Sequence, residues 1–207
     1  MRRRELLTRF AALAFLGAAW RRIASATVTY FGVTTVDASV NVAGSTYWND
    51  EISWVCPGTG SQDVKALGLW ANVWNASYPQ NIRLALYDLA GNLIAQGSTA
   101  ISVTSATPSY WEHSSFVDVA GNPIFPTLVG GTGYKIVSTG SGTYVDDLQH
   151  GILYGATESI AYKHVDYTAG FPAALPTPDG SGTFRPAQSC GVEPTPANTR
   201  VGRRVIG

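Results

Sequence analysis

The chain has 207 residues, equal numbers of basic and acidic side chains (14 each), and 45% hydrophobic residues. This balance excludes disorder, which needs low hydrophobicity and high net charge; 22 Gly, 11 Pro and 11% aromatic residues point instead to many short strands joined by turns. The zero net charge is unevenly spread, with +5 in residues 1–26, +3 in 200–207 and −8 in 27–199, so the body is not expected to bind nucleic acid, which requires clustered positive charge.

The first segment, "MRRRELLTRFAALAFLGAAWRRIASA", has two readings. One is an export signal: a basic start, an apolar run from Phe10 to Trp20, and "ASA" ending at Ala26 as a small-residue cleavage site. "RRRELL" is loosely similar to a twin-arginine signal, but Arg9, Arg21 and Arg22 depart from that pattern. The other is a retained amphipathic helix that anchors the protein through Arg2, Arg3 and Arg4 and an apolar stripe including Phe10, Leu13 and Trp20. Eleven consecutive apolar residues are too few to span a bilayer.

From Thr27 the chain reads as strands. "TVTYFGVTTV" (27–36) is β-branched and aromatic, and "NDEISWVC" (49–56) follows. "DVKALGLWANVW" (63–74) and "QNIRLALYD" (80–88) come next, with "LAGN" (89–92) as a Gly-Asn turn into "LIAQGS" (93–98), a hairpin signature. "YWEHSSFVDV" (110–119) reads as one strand and "GNP" as its breaker. "GYKIVSTG" (133–140) and "GTYVDDL" (142–148) read as a second hairpin. "HGILYGA" and "ESIAYKHV" complete the strands, and "FPAALPTPDGSGTFRPAQ" from Phe171 reads as a Pro/Gly loop before a short last strand near Cys190. No repeat of fixed period is evident. The pattern predicts an all-β, jelly-roll-like antiparallel sandwich over 27–192, preceded by an N-terminal helix over 1–26 and followed by a basic tail over 193–207.

Alternation assigns the faces. Ile82, Leu84 and Leu86 should face the core, with Arg83, Ala85 and Tyr87 opposite. Leu67, Leu69, Ala71 and Val73 form a second aliphatic row. Trp70, Asn72 and Trp74 then share the outer face, beside Tyr87, as candidate glycan- or partner-binding residues. The competing reading buries the tryptophans under a loop or another subunit, because Trp is highly buried on average.

The run "VKALGLWANVWNASYPQNIRLALYDLAGNLIAQGS", the Gly-Tyr strand "GTGYKIVSTG" and the Phe-Pro stretch "AGFPAALP" together resemble a jelly-roll module of bacterial secreted proteins and of bacteriophage fibres and spikes. The resemblance covers roughly residues 60–180, and Tyr87, Asp88, Gly91 and Asn92 match its strand-and-turn motif. It implies a carbohydrate-binding-like, non-catalytic domain and transfers no ligand residues.

Other constellations are weaker. Asp146, Asp147 and His150 lack regular calcium-ligand spacing. Glu112 and His113 are adjacent on a strand and so face opposite ways, and His164 stands alone. There is no nucleophile elbow, zinc motif, phosphate loop or cysteine cluster, so no catalysis, cofactor or metal is expected. Cys56 and Cys190 are read either as a disulfide of an exported protein or as two buried thiols. Two functions follow. One is a virion-surface structural and adhesion protein (a phage head spike, fibre base or decoration protein), homo-oligomeric, docked on other virion proteins and binding host polysaccharide. The other is a secreted or periplasmic carbohydrate-binding protein exported through residues 1–26.

Overall fold

The computed structural model describes residues 27–33, 38–41, 48–73, 79–142, 148–153, 160–163, 165, 167–182 and 185–196. Among these the chain forms strands and no helix. In order they are β1 (Thr29–Gly32), β2 (Ala38–Asn41), β3 (Trp48–Val55), β4 (Ser61–Val73), β5 (Gln80–Asp88) and β6 (Leu93–Gly97). Then come β7 (Ile101–Val103), β8 (Ser109–His113), β9 (Phe116–Val117), β10 (Pro123–Ile124), β11 (Thr127–Val129) and β12 (Gly133–Gly142). The last are β13 (Leu148–Leu153), β14 (Ile160–Lys163), β15 (Gly180–Gly182), β16 (Arg185–Pro186) and β17 (Gln188–Pro194). The N-terminal helix expected over 1–26 lies outside the described residues.

The strands form two antiparallel sheets. The front sheet runs β1-β17-β4-β13-β16, with β8 and β11 also on β4 and β2 on β13. The back sheet runs β10-β9-β6-β5-β12-β3-β14-β15, with β7 on β5. The chain crosses repeatedly between them, as at β3–β4, β4–β5, β7–β8, β8–β9 and β12–β13. Two of these crossings correct the sequence reading. "GYKIVSTG" is not half of a hairpin with the segment after it: both its edges are taken, by β3 and β5 in the back sheet, while the next described strand, β13, joins the front sheet and residues 143–147 of "GTYVDDL" lie outside the described residues. "YWEHSSFVDV" is broken at Ser114 and Ser115, where the chain leaves β8 in one sheet for β9 in the other.

The core fills the space between the sheets. Leu67, Leu69, Ala71 and Val73 of β4 meet Ile82, Leu84 and Leu86 of β5, all fully buried, as the alternation predicts. Each leucine so buried contributes about 1.5–3 kcal/mol. The β17–β4 ladder slips between Gly191 and Val192, and Lys65 is the extra residue. This bulge changes the phase of β4, so that Val64 joins the core while Lys65 stays in water.

The outer face of the back sheet is also covered. Ala85, Tyr87 and Val137 pack against Tyr167 and Phe171, with Leu175 alongside. The Phe-Pro stretch is therefore a lid over β5 and β12, and β5 is buried on both faces from Ile82 to Tyr87.

The turn after β5 is the expected Gly-Asn type. Asp88 Oδ1 accepts the Asn92 N–H at 2.8 Å, and Gly91 takes φ +88. The same D-x-A-G-N turn recurs at Asp118–Asn122, where Asp118 Oδ1 accepts the Asn122 N–H at 2.9 Å and Gly121 takes φ +85. The "GNP" breaker is thus half of a second hairpin, joining β9 to β10.

Candidate functional site

Because Leu67, Leu69 and Ala71 face the core, Ala66, Gly68, Trp70 and Asn72 point away from it. Two strands flank β4 at this level. On β17, Ser189 is opposite Gly68 and Gly191 is opposite Ala66; on β8, Tyr110 is opposite Trp70 and Glu112 is opposite Gly68. β1 adds Tyr30 opposite Gly191.

The glycines make a floor for the aromatic rings. A Cβ on Gly68 would overlap the Tyr110 ring, so the ring lies across that glycine. Its hydroxyl reaches the Ser189 hydroxyl at 2.7 Å. Tyr30 lies across Gly191, where an added Cβ would sit 3.0 Å from the ring. Its Oη donates to Glu112 Oε2 at 3.5 Å. The Trp70 and Tyr110 rings are 6.0 Å apart between centroids and tilted by 55°. Tyr30, Tyr110 and Trp70 thus tile one outward face, with the exposed Glu112 carboxylate among them.

Electrostatics keep both phenols protonated. Burial pushes Tyr110 up to about 12, and Glu112 adds to this while the Ser189 contact opposes it. Tyr30 is raised by its partial burial and then by Glu112. At neutral pH the face therefore offers flat aromatic surface, phenol oxygens already paired with Glu112 and Ser189, and one exposed carboxylate; aromatic faces stack on sugar rings and a carboxylate accepts from their hydroxyls.

The predicted site residues fare differently. Trp70 stands on this face, half-buried. Asn72 is in the same row but only 3% exposed, and its Nδ2 donates to Ala106 O at 3.4 Å, so its amide is turned toward the chain rather than displayed. Tyr87 is not beside them: it belongs to the back sheet, is fully buried, and donates to Pro172 O at 2.8 Å with Phe171 edge-on at 6.3 Å. The Phe-Pro lid explains this, because the outer face of β5 is an interior. Trp74 and the anchoring residues Arg2, Arg3, Arg4, Phe10, Leu13 and Trp20 lie outside the described residues, as do Asp146, Asp147 and His164. Sequence reasoning missed Tyr30, Tyr110, Glu112 and Ser189; the available signal was glycine inside strands at Gly68 and Gly191, which marks close approach by another group.

Glu112 and His113 do face opposite ways: Glu112 is exposed, His113 is 5% exposed and points between the sheets. Among the described residues no group of three or more His, Cys, Asp or Glu is placed to hold a metal ion. Cys56 and Cys190 are both buried free thiols in the main core, with their pKa values raised by burial. No described helix is long and apolar enough to cross a membrane.

No protein-family model and no curated protein matches the sequence. A chain in a solved structure of infectious bursal disease virus, Gx strain, is similar over 82% of this chain at 12% identity, with a TM-score of 0.32. The match covers 40% of that viral chain.

Proposed function

We propose that this chain is a non-catalytic structural and adhesion protein of a virion surface, which binds host surface polysaccharide through the outer face of its front sheet. The observation that carries the binding reading is the row Tyr30, Tyr110 and Trp70 laid over Gly68 and Gly191, with Glu112 and Ser189 as polar partners. Tyr30 is 41% exposed and Trp70 and Tyr110 are half-buried beside it, so ring surface of all three reaches water on this face. The virion reading is supported by the resemblance to phage spike modules and by basic ends, +5 and +3, on a body of −8. Those ends would dock on other virion proteins, and the sandwich would be presented in symmetric copies.

The three-part pattern of residues 1–26 favours a second reading, a secreted carbohydrate-binding protein. N-terminal sequencing of the mature protein separates the two. A start at Thr27 removes the virion anchor, and a start at Met1 removes export. Polysaccharide binding belongs to both and is tested by Tyr30→Ala and Trp70→Ala, which should weaken it about tenfold each; unchanged binding would show that the face has another use.

A further inference from the structure

Arg83 carries a positive charge into the interior. It is 5% exposed, on the outer face of β5, and its three hydrogen bonds all go to backbone carbonyls, those of Gly97, Ser98 and Thr168. A guanidinium has five N–H donors and does not shed its proton, so two donors and the whole charge are left unanswered. Among the described residues no carboxylate lies within ion-pair distance of it. Burial lowers its pKa, with nothing acidic to oppose the shift. Buried charges are ordinarily paired, because desolvating one alone is unfavourable. Bridging three carbonyls needs donors, but it does not need a charge.

The side chain is not sealed in. With Gln96 and Ser98 it lines a cleft of about 580 Å³ between the Phe-Pro lid at Ala169–Phe171 and the β9–β10 turn at Val119–Gly121. Gln96 holds both walls: its Oε1 accepts the Phe171 N–H at 2.8 Å and its Nε2 donates to Asp118 O at 3.2 Å. Gly170 keeps room beside the cation. An added Cβ there would stand 3.9 Å from Arg83 Nη1 and 3.7 Å from Gln96 Oε1, and would meet nothing closer. The volume is that of a small-ligand site.

The charge selects the ligand. Among the described residues Arg83 is the only basic side chain lining the cleft. One guanidinium balances one carboxylate and matches its planar geometry, whereas a phosphate group approaches two negative charges. Val117 and Val119 add apolar surface for a carbon skeleton. We propose that this cleft binds the carboxylate of a small organic acid, paired with the Arg83 guanidinium. The proposal goes beyond the glycan reading and does not rest on it, since the cleft lies on the outer side of the back sheet and shares no residue with the aromatic face.

Titration of glucuronate into the full chain, followed by backbone amide NMR at pH 7 and constant ionic strength, tests it. Glucose is the control, because it carries a hydroxymethyl group where glucuronate carries the carboxylate. Glucuronate should shift the Ser98, Gly121 and Gly170 amides saturably, and glucose should leave them in place. Gly170→Asp puts a carboxylate of the chain itself within reach of Arg83. It should weaken glucuronate binding about tenfold or more, and its thermal midpoint should lie above that of Gly170→Asn, which has the same shape without the charge. Glucuronate shifts no larger than those from glucose would overturn the proposal, as would inorganic phosphate binding more tightly than glucuronate. So would a Gly170→Asp chain that binds glucuronate as wild type does or melts no higher than Gly170→Asn.

Discussion

His113 Nε2 accepts the Leu84 N–H at 3.3 Å, so a side chain of the front sheet supplies a hydrogen bond to the backbone of the back sheet. Leu84 needs it. β7 pairs with β5 at Gln80–Ile82 and β6 pairs with it at Ala85–Tyr87, which leaves Leu84 between the two ladders. Gly97 lies against the imidazole, where any Cβ would overlap the ring.

This bond makes stability depend on pH. Burial, and then the nearby Arg83 charge, push His113 down from 6.5 to about 4. Between those values the unfolded chain holds a proton that the folded chain does not, so stability falls as pH drops from about 6.5 to about 4, by about 3 kcal/mol from this group. Above that window the group contributes its full stabilisation. Urea unfolding across pH 4–8 should show this slope in wild type. His113→Leu should lose the slope and, at pH 7, about 1–3 kcal/mol for the Leu84 N–H left without its acceptor.

Arg83 closes the same gap from the other face of β5. Its Nε donates to Gly97 O at 2.7 Å, Nη2 to Ser98 O at 3.0 Å and Nη1 to Thr168 O at 3.2 Å. Arg83→Lys keeps the charge but offers one nitrogen in place of the planar fork. It should destabilise the fold by about 2–3 kcal/mol, read by chemical denaturation.

The glycine floor predicts a specific cost. Gly68→Ala places a methyl where the Tyr110 ring lies and should push that ring out into solvent. The expected loss is about 1–2 kcal/mol. The distinguishing readout is a spectroscopic titration of the phenols: the tyrosine held near 12 in wild type should titrate closer to 10 in the variant.

Cys56 and Cys190 should behave as two inert thiols. Burial raises both pKa values, and Cys190 is fully buried. Under native conditions a thiol reagent should label neither at pH 8, and both should react in guanidinium. Intact mass without reductant should match two free thiols.

Sequence and structure agree where local alternation suffices. Ile82, Leu84 and Leu86 announce a core face in period two, and the D-x-A-G-N turn after Asp88 carries its own chemistry. Alternation cannot say whether the opposite face is covered. Tyr87 reads as outward from its neighbours alone, but Pro172, 85 positions away, accepts its hydroxyl. The same limit hid the aromatic face: Tyr30, Trp70 and Tyr110 come from three strands, and β17, near the end of the chain, sets Gly191 and Ser189 beneath the two tyrosines. The "GYKIVSTG" hairpin failed for a related reason, because both edges of its strand are taken by β3 and β5, which come from much earlier in the chain.

Polysaccharide binding by the front face is measured most directly by titration calorimetry of purified host surface polysaccharide into the full-length chain and its Tyr30→Ala and Trp70→Ala variants. Wild type should bind, and each variant should bind about tenfold more weakly with a near-unchanged thermal midpoint. Equal binding by wild type and both aromatic variants, or no binding by wild type, would contradict the assignment of this face as the ligand-binding surface.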